Sequence, residues 1–139
     1  MKIELAKNEI IHFIGIGGIG MSGLSLIMKG KKFKVQGSDI TLNKNIERLK
    51  KEKIKIFLGH KKKHIKNATI VVVSSAIKKN NPELLEAKRK NLPIIKRGRM
   101  LAHIVSLTKN IVVAGSHGKT TTTSLVASIF QKTKLDPTI

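Results

Sequence analysis

The sequence has no cysteine, no tryptophan and no tyrosine, and it carries only eight acidic residues against 28 basic ones in 139. Each shortage closes off some chemistry. Without cysteine there are no disulfides, no thiolate metal sites and no thiol nucleophile. Phe13, Phe33, Phe57 and Phe130 are the whole supply of large aromatics, so there is little on which bases could stack. No apolar run approaches the roughly 20 residues of a membrane span. Glu4, Lys7, Asn8 and Glu9 interrupt any signal-peptide pattern at the N-terminus. The expectation is a cytoplasmic protein without membrane insertion.

The net charge of +20 invites a nucleic-acid reading. The basic residues, however, are almost all lysine, with arginine only at 48, 89, 97 and 99, and they are scattered through expected helices and turns. A lysine-rich solvated surface with no specific nucleic-acid partner is the plainer reading. The charge still favours anionic ligands and weak, salt-sensitive binding to RNA or DNA.

Short apolar runs at residues 10–14, 33–35, 54–58, 69–73 and 93–95 read as strands. Between them, residues 21–28, 43–51, 81–90 and 98–105 read as helices, with Gly30 ending the first, and residues 61–63 as a charged connection. Asn81 suits an N-cap and Pro82 the first helical position. Strands alternating with helices predict an α/β fold with a parallel sheet and right-handed crossovers. A last apolar run, 111–114, reads as a strand that leads through a Gly-bounded turn into a helix at 124–130. The polar joint at 106–110 sets the expected division: a Rossmann-like domain over 1–106, then over 107–139 the first strand, loop and helix of an ATP-binding domain. Phe13 and Phe57 are expected in the core, His12 on a strand, and His64 and His103 at the surface.

Two glycine-rich turns carry the chemistry. Gly15-Ile16-Gly17-Gly18-Ile19-Gly20 fits G-x-G-x-x-G between a strand and a helix, and Asp39 follows about twenty residues on, at the end of the second strand. Gly15 would allow the tight turn, Gly17 the close approach of a diphosphate, and Gly20 helix–strand packing; Asp39 would contact a ribose hydroxyl. On this view Gly17→Val blocks the diphosphate and leaves the fold mostly intact. The plainer alternative is a structural turn.

The second turn, Gly115-Ser116-His117-Gly118-Lys119-Thr120-Thr121, is shorter than G-x-x-x-x-G-K-[ST], since Val113 stands where that pattern needs glycine. Its backbone N–H groups and the helix behind it suit a triphosphate, with Lys119 reaching the β/γ-phosphates and the Thr120 hydroxyl ligating Mg²⁺. One turn for a nucleotide diphosphate and one for ATP suggest an enzyme that energises a nucleotide conjugate. Two other readings compete: a dinucleotide-dependent oxidoreductase, which leaves the second loop unexplained, and a basic nucleic-acid-binding protein.

The run from His12 to Gly23 resembles the start of the Mur ligases of peptidoglycan synthesis. Gly37-Ser38-Asp39, Gly59-His60, Val73-Ser74-Ser75-Ala76-Ile77, Asn81-Pro82-Glu83 and Arg97 continue the likeness in order, as do Ala114 to Leu125 and Leu135-Asp136-Pro137-Thr138. Ser116 replaces the usual threonine, and Gly98-Arg99 departs from the usual Ala-Glu. The resemblance implies that the first domain holds the UDP part of UDP-N-acetylmuramate rather than NAD. Gly15, Gly17, Gly18, Ile19 and Gly20 would face the diphosphate, Ser38 and Asp39 the nucleoside, and His60, Ser74, Ser75 and Ala76 would complete the pocket. It implies ATP-driven amide formation with L-alanine through an acyl phosphate. Lys119 would stabilise the transferring group, Thr120 and Thr121 would serve the Mg²⁺, and Arg97 and His117 would be weaker candidates for ligand contact. The family is several times longer than this chain, so these 139 residues are expected to be a fragment that does not catalyse ligation alone.

Overall fold

The structure, a computed structural model, describes residues 3–133; the expected match at Leu135–Thr138 lies outside them. The described residues fall into two compact units, divided between Leu107 and Thr108.

The first unit contains strands β1 (Ile10–Ile14), β2 (Lys34–Asp39), β3 (Lys55–Leu58), β4 (Ile70–Val73) and β5 (Ile94–Lys96). Helices α1 (Ile19–Gly30), α2 (Lys44–Lys51), α3 (Pro82–Arg89) and α4 (Arg97–Ser106) alternate with them, and a 3₁₀ turn at Lys62–Ile65 fills the place expected to be a charged connection. All strand pairs are parallel, in the order β3-β2-β1-β4-β5. This is the doubly wound, Rossmann-like arrangement, and the order of its strands reverses between β1 and β4.

Strand alternation builds two cores. Ile11, Phe13, Ile70 and Val72 point to the face covered by Met21, Leu24 and Met28 of α1, Ile46 and Leu49 of α2, and Met100 and Ile104 of α4. Ile14 and Val71 point the other way, onto Ile65, Leu84 and Ala87. Burial on both faces explains why the central strands read as unbroken apolar runs.

Three helices stop in the same way. After α1, α2 and α3 the chain turns through Lys32, Lys53 and Asn91, at φ of 70°, 58° and 52°. In each case the next residue donates back into the helix, Phe33 N–H to Met28, Ile54 to Leu49 and Leu92 to Ala87, at 2.9–3.2 Å. Helix α1 ends at Gly30 as expected, and the left-handed residue beyond it is Lys32. A lysine side chain in that conformation costs energy that glycine avoids. Lys53→Gly is expected to raise unfolding stability by about 1 kcal/mol, read by circular dichroism in urea. An unchanged or lower midpoint would contradict it.

The second unit has helix α5 (Lys119–Gln131) and no strand among its described residues. The expected strand at 111–114 does not form. A strand exists only by hydrogen bonding to a neighbour, and no described segment pairs with this one. Ile111, Val112, Leu125 and Ile129 are 62–73% exposed, so the described residues of this unit form no core of their own.

Candidate nucleotide site

Parallel register places the carboxyl ends of four strands side by side. Ile14 pairs with Ser38 and with Val73, and Asp39 pairs with Leu58. The turns after β1, β2, β3 and β4 therefore gather at one edge, where doubly wound sheets bind ligands.

The first Gly-rich turn is held from below. Gly15 adopts φ +81°, and the Gly15 and Ile16 N–H groups both donate to the Ser38 carbonyl, at 2.8 and 3.0 Å. Across the switch point, Ser74 N–H donates to the Ile14 carbonyl at 3.3 Å. Gly18 then forms the N-cap of α1 with no capping side chain, and the first turn of α1 has no acid. Gly18, Ile19 and Gly20 are exposed. An uncapped helix start with bare backbone donors favours an anion. The Arg97 side chain lies against Gly20, its Nη1 only 2.7 Å from where a Cβ would stand, and brings a guanidinium to the same place.

Two expectations about this turn change, and Asp39 gains a structural duty. A Cβ on Gly17 would come within 2.9 Å of Asp39 Oδ2 and 3.0 Å of Ile46 Cδ1, so a side chain here would have to displace the Asp39 carboxylate that holds the turn. Gly17→Val would disturb the fold and is not a clean probe of ligand approach. Gly20 makes room for Arg97, not for a strand. Asp39 clamps the turn: Oδ2 accepts the Gly17 N–H at 2.8 Å, and Oδ1 accepts the Thr41 N–H and hydroxyl at 3.2 and 3.3 Å. Asn43 and Asn45 hold the Gly17 carbonyl from the other side.

Next to the turn, Ile40, His60, Ala76, Ile77, Lys78 and Asn81 help line a shallow cleft of about 370 Å³. Of the residues expected at the pocket, His60 and Ala76 line this cleft. Ser74 and Ser75 sit in the turn after β4, where the Ser74 hydroxyl accepts the Ala76 N–H at 3.3 Å. The Ser38 side chain is fully buried, its hydroxyl 3.0 Å from His60 Nδ1.

What Ser38 meets was not foreseen. Its hydroxyl donates to Glu83 Oε2 at 2.5 Å. Glu83, in the first turn of α3, is completely buried. His60 Nδ1 lies 3.0 Å from the same oxygen, His64 Nδ1 2.7 Å from Oε1, and His12 Nε2 3.6 Å from Oε2. Burial alone would raise the Glu83 pKa. His12, Ser38 and His60 overcome that and bring it down to about 2. His64, expected at the surface, is buried in this cluster and stacks on Phe57 at 4.5 Å; Phe57 is only half-buried. His12 is on its strand as expected, also fully buried.

In the second unit Gly115 and Gly118 take φ of +151° and +73°, and Gly118 caps α5 with no side-chain hydrogen bond and no acid in the first turn. The Lys119 ammonium donates to the carbonyls of Gly115 and Ser116. Thr123 and Ser124 turn their hydroxyls onto helix carbonyls at 2.7 and 2.9 Å. Ser116, His117, Thr120 and Thr121 are exposed. A left-handed glycine, an uncapped helix start and an adjacent lysine suit polyphosphate. No group of three or more His, Cys, Asp or Glu among the described residues can hold a metal ion.

The strand order and the turns gathered at this edge define a doubly wound, Rossmann-like α/β protein. Residues 10–109 match the Mur ligase family, catalytic domain, and the chain belongs to that family. It is 79% identical over its whole length to the UDP-N-acetylmuramate–L-alanine ligase of Pelagibacter ubique, covering 30% of that protein. It is 53% identical over 92% of its length to the enzyme of that name from Aquifex aeolicus, covering 28%. The crystal structure of UDP-N-acetylmuramate–alanine ligase from Thermotoga maritima superposes with a TM-score of 0.80 at 33% identity, over 87% of this chain and 29% of that one. A Neisseria structure of the ligase for L-alanyl-γ-D-glutamyl-meso-diaminopimelate also gives 0.80, at 30% identity, over 89% of this chain and 40% of that one. The chain thus spans about 30% of the length of the curated relatives it matches. No helix among the described residues is long and apolar enough to cross a membrane.

Proposed function

We propose that this chain is the UDP-sugar-holding part of an ATP-dependent ligase that joins L-alanine to UDP-N-acetylmuramate. The observation that carries the reading is the pairing of two uncapped, glycine-bounded helix starts on one short chain, one beside Arg97 and the other bearing Lys119. Residues 1–106 take the UDP-sugar, and residues 107–139 begin the ATP-binding part. The diphosphate sits on the Gly15–Gly20 turn within reach of Arg97, and the nucleoside enters the cleft lined by His60 and Ala76. Asp39 contributes by holding the turn in shape.

In the reaction, the muramoyl carboxylate takes the γ-phosphoryl group of ATP and releases ADP. The amine of alanine then attacks the acyl phosphate and displaces inorganic phosphate. Lys119 neutralises phosphate charge, and Mg²⁺ at Thr120 and Thr121 supplies further charge neutralisation when bound. Both substrates of the activation step, ATP and a nucleotide-linked sugar, place the reaction in the cytoplasm.

Titration calorimetry tests the binding half, since no Tyr or Trp is present to report by fluorescence. The 139-residue chain is expected to bind UDP-N-acetylmuramate and not NADH. Arg97→Ala should weaken the UDP-sugar roughly tenfold or more, the loss of a charge-assisted contact. Binding of NADH in place of the UDP-sugar would reject the reading in favour of a dinucleotide enzyme.

A further inference from the structure

Building on that UDP-sugar reading, we propose that Glu83 is a positioning residue that locks the His60 ring as its Nδ1–H tautomer. His60 Nε2 is thereby presented to the cleft as a hydrogen-bond acceptor for an N–H or O–H group of the nucleoside.

The proton positions follow from the partners. A carboxylate only accepts hydrogen bonds, so each group facing Glu83 must bring a proton. Ser38 has one, and it goes to Glu83 Oε2 at 2.5 Å. The Ser38 oxygen is then an acceptor toward His60 Nδ1, 3.0 Å away. His60 Nδ1 thus faces two acceptors, Ser38 Oγ and Glu83 Oε2, both at 3.0 Å, and must carry the hydrogen. With its proton on Nδ1, the uncharged form of the ring has a bare lone pair on Nε2.

The rest of the cluster agrees. The Gln36 amide nitrogen donates to the His64 carbonyl at 3.0 Å, which fixes its orientation, and its other hydrogen meets His12 Nδ1 at 3.1 Å. His12 Nδ1 is therefore an acceptor, and its proton sits on Nε2, aimed at Glu83 from 3.6 Å without any hydrogen-bond partner. His64 Nδ1 lies between the Lys61 N–H, 3.3 Å away, and Glu83 Oε1, 2.7 Å away; the short contact to an acceptor-only carboxylate makes it the donor. One proton arrangement supplies a donor to each hydrogen bond the carboxylate accepts. His12 and His64 are enclosed; His60 keeps 13% of its side chain exposed and lines the cleft. The hub is buried, and His60 carries its orientation to the surface.

The test uses the whole chain with ¹⁵N-labelled histidine, reading ring-nitrogen shifts at neutral pH. His60 and His64 are expected as Nδ1–H and His12 as Nε2–H, and UDP-N-acetylmuramate should move the His60 Nε2 resonance. Glu83→Gln should mix the His60 tautomers. Glu83→Gln and His60→Ala should each weaken the UDP-sugar roughly tenfold, and the double variant no further than either alone. If Glu83→Gln does not fold, the wild-type ring spectrum and the affinity of His60→Ala decide. An Nε2–H His60, an unmoved Nε2 resonance on binding, or additive losses would overturn the positioning role while UDP-sugar binding stands. A wild-type chain that binds no UDP-sugar would overturn the functional reading and the inference with it.

Discussion

Gly37→Val is expected to unfold the first unit, with a loss above about 4 kcal/mol, in the range where a single substitution defeats a small domain. Gly37 lies on β2 beside Phe13 of β1. Ile16, carried back by the left-handed Gly15, folds over it. A Cβ at Gly37 would stand 2.6 Å from Ile16 Cδ1, 2.7 Å from the Phe13 carbonyl oxygen and 2.8 Å from Ile16 Cβ. None of these can retreat cheaply. The carbonyl belongs to the paired strand β1, and Ile16 is fully buried. Gly37→Ala should lose about 2–3 kcal/mol through the same clash. At Gly98, on α4, a Cβ would meet nothing within 4 Å, so Gly98→Ala should fold normally and serves as the control. Thermal and urea unfolding followed by circular dichroism measures all three. A Gly37→Val chain within 1 kcal/mol of the parent, on the scale of an ordinary surface change, would mean that the β1–β2 contact is looser than described.

Gly37 also shows what was legible in the sequence. Gly37-Ser38-Asp39 reads locally as the end of a strand, yet β2 runs on through it because Phe57 and Leu58 of β3 pair with Ser38 and Asp39. The fold class was readable because β-branched apolar runs alternate with amphipathic segments, a property of local sequence. The Gly15–Gly20 turn was readable because the tight turn needs glycine at its start. The uses of Gly17 and Asp39 were not, since they depend on each other and on Ile46. The run at 111–114 shows the opposite failure. Its composition favours a strand, but pairing is not local, and no described neighbour supplies it. Glu83 was read only as part of a helix start. Its partners lie 19 to 71 residues earlier in the chain and meet it only once the sheet is assembled. One signal was present: His12 sits inside Ile-Ile-His-Phe-Ile, and a histidine in the middle of a buried strand needs a polar partner from somewhere.

Acid should expose that partner directly. The Glu83 carboxyl has its pKa lowered from 4.5 to about 2 in the folded chain. A carboxyl held down in this way stabilises the fold fully above its unfolded pKa, and the contribution drains away as pH falls toward the folded value. The window is therefore between about pH 4.5 and pH 2, and the full contribution is on the order of 3 kcal/mol. Glu83→Gln removes the titrating group, so its stability should be lower than the parent's at pH 6 and should change less across that window. The two curves should converge toward pH 2, where the parent's carboxyl begins to take up its proton. Glu83→Ala should do worse at pH 6, by about 3–5 kcal/mol, because it leaves ring N–H groups and the Ser38 hydroxyl buried without an acceptor. Urea unfolding at intervals from pH 6 to pH 2, followed by circular dichroism, reads the difference. Parallel curves for the parent and Glu83→Gln would show that the buried carboxylate is not what acid attacks. Converging curves would tie the acid limit of the fold to the same carboxylate that orients His60.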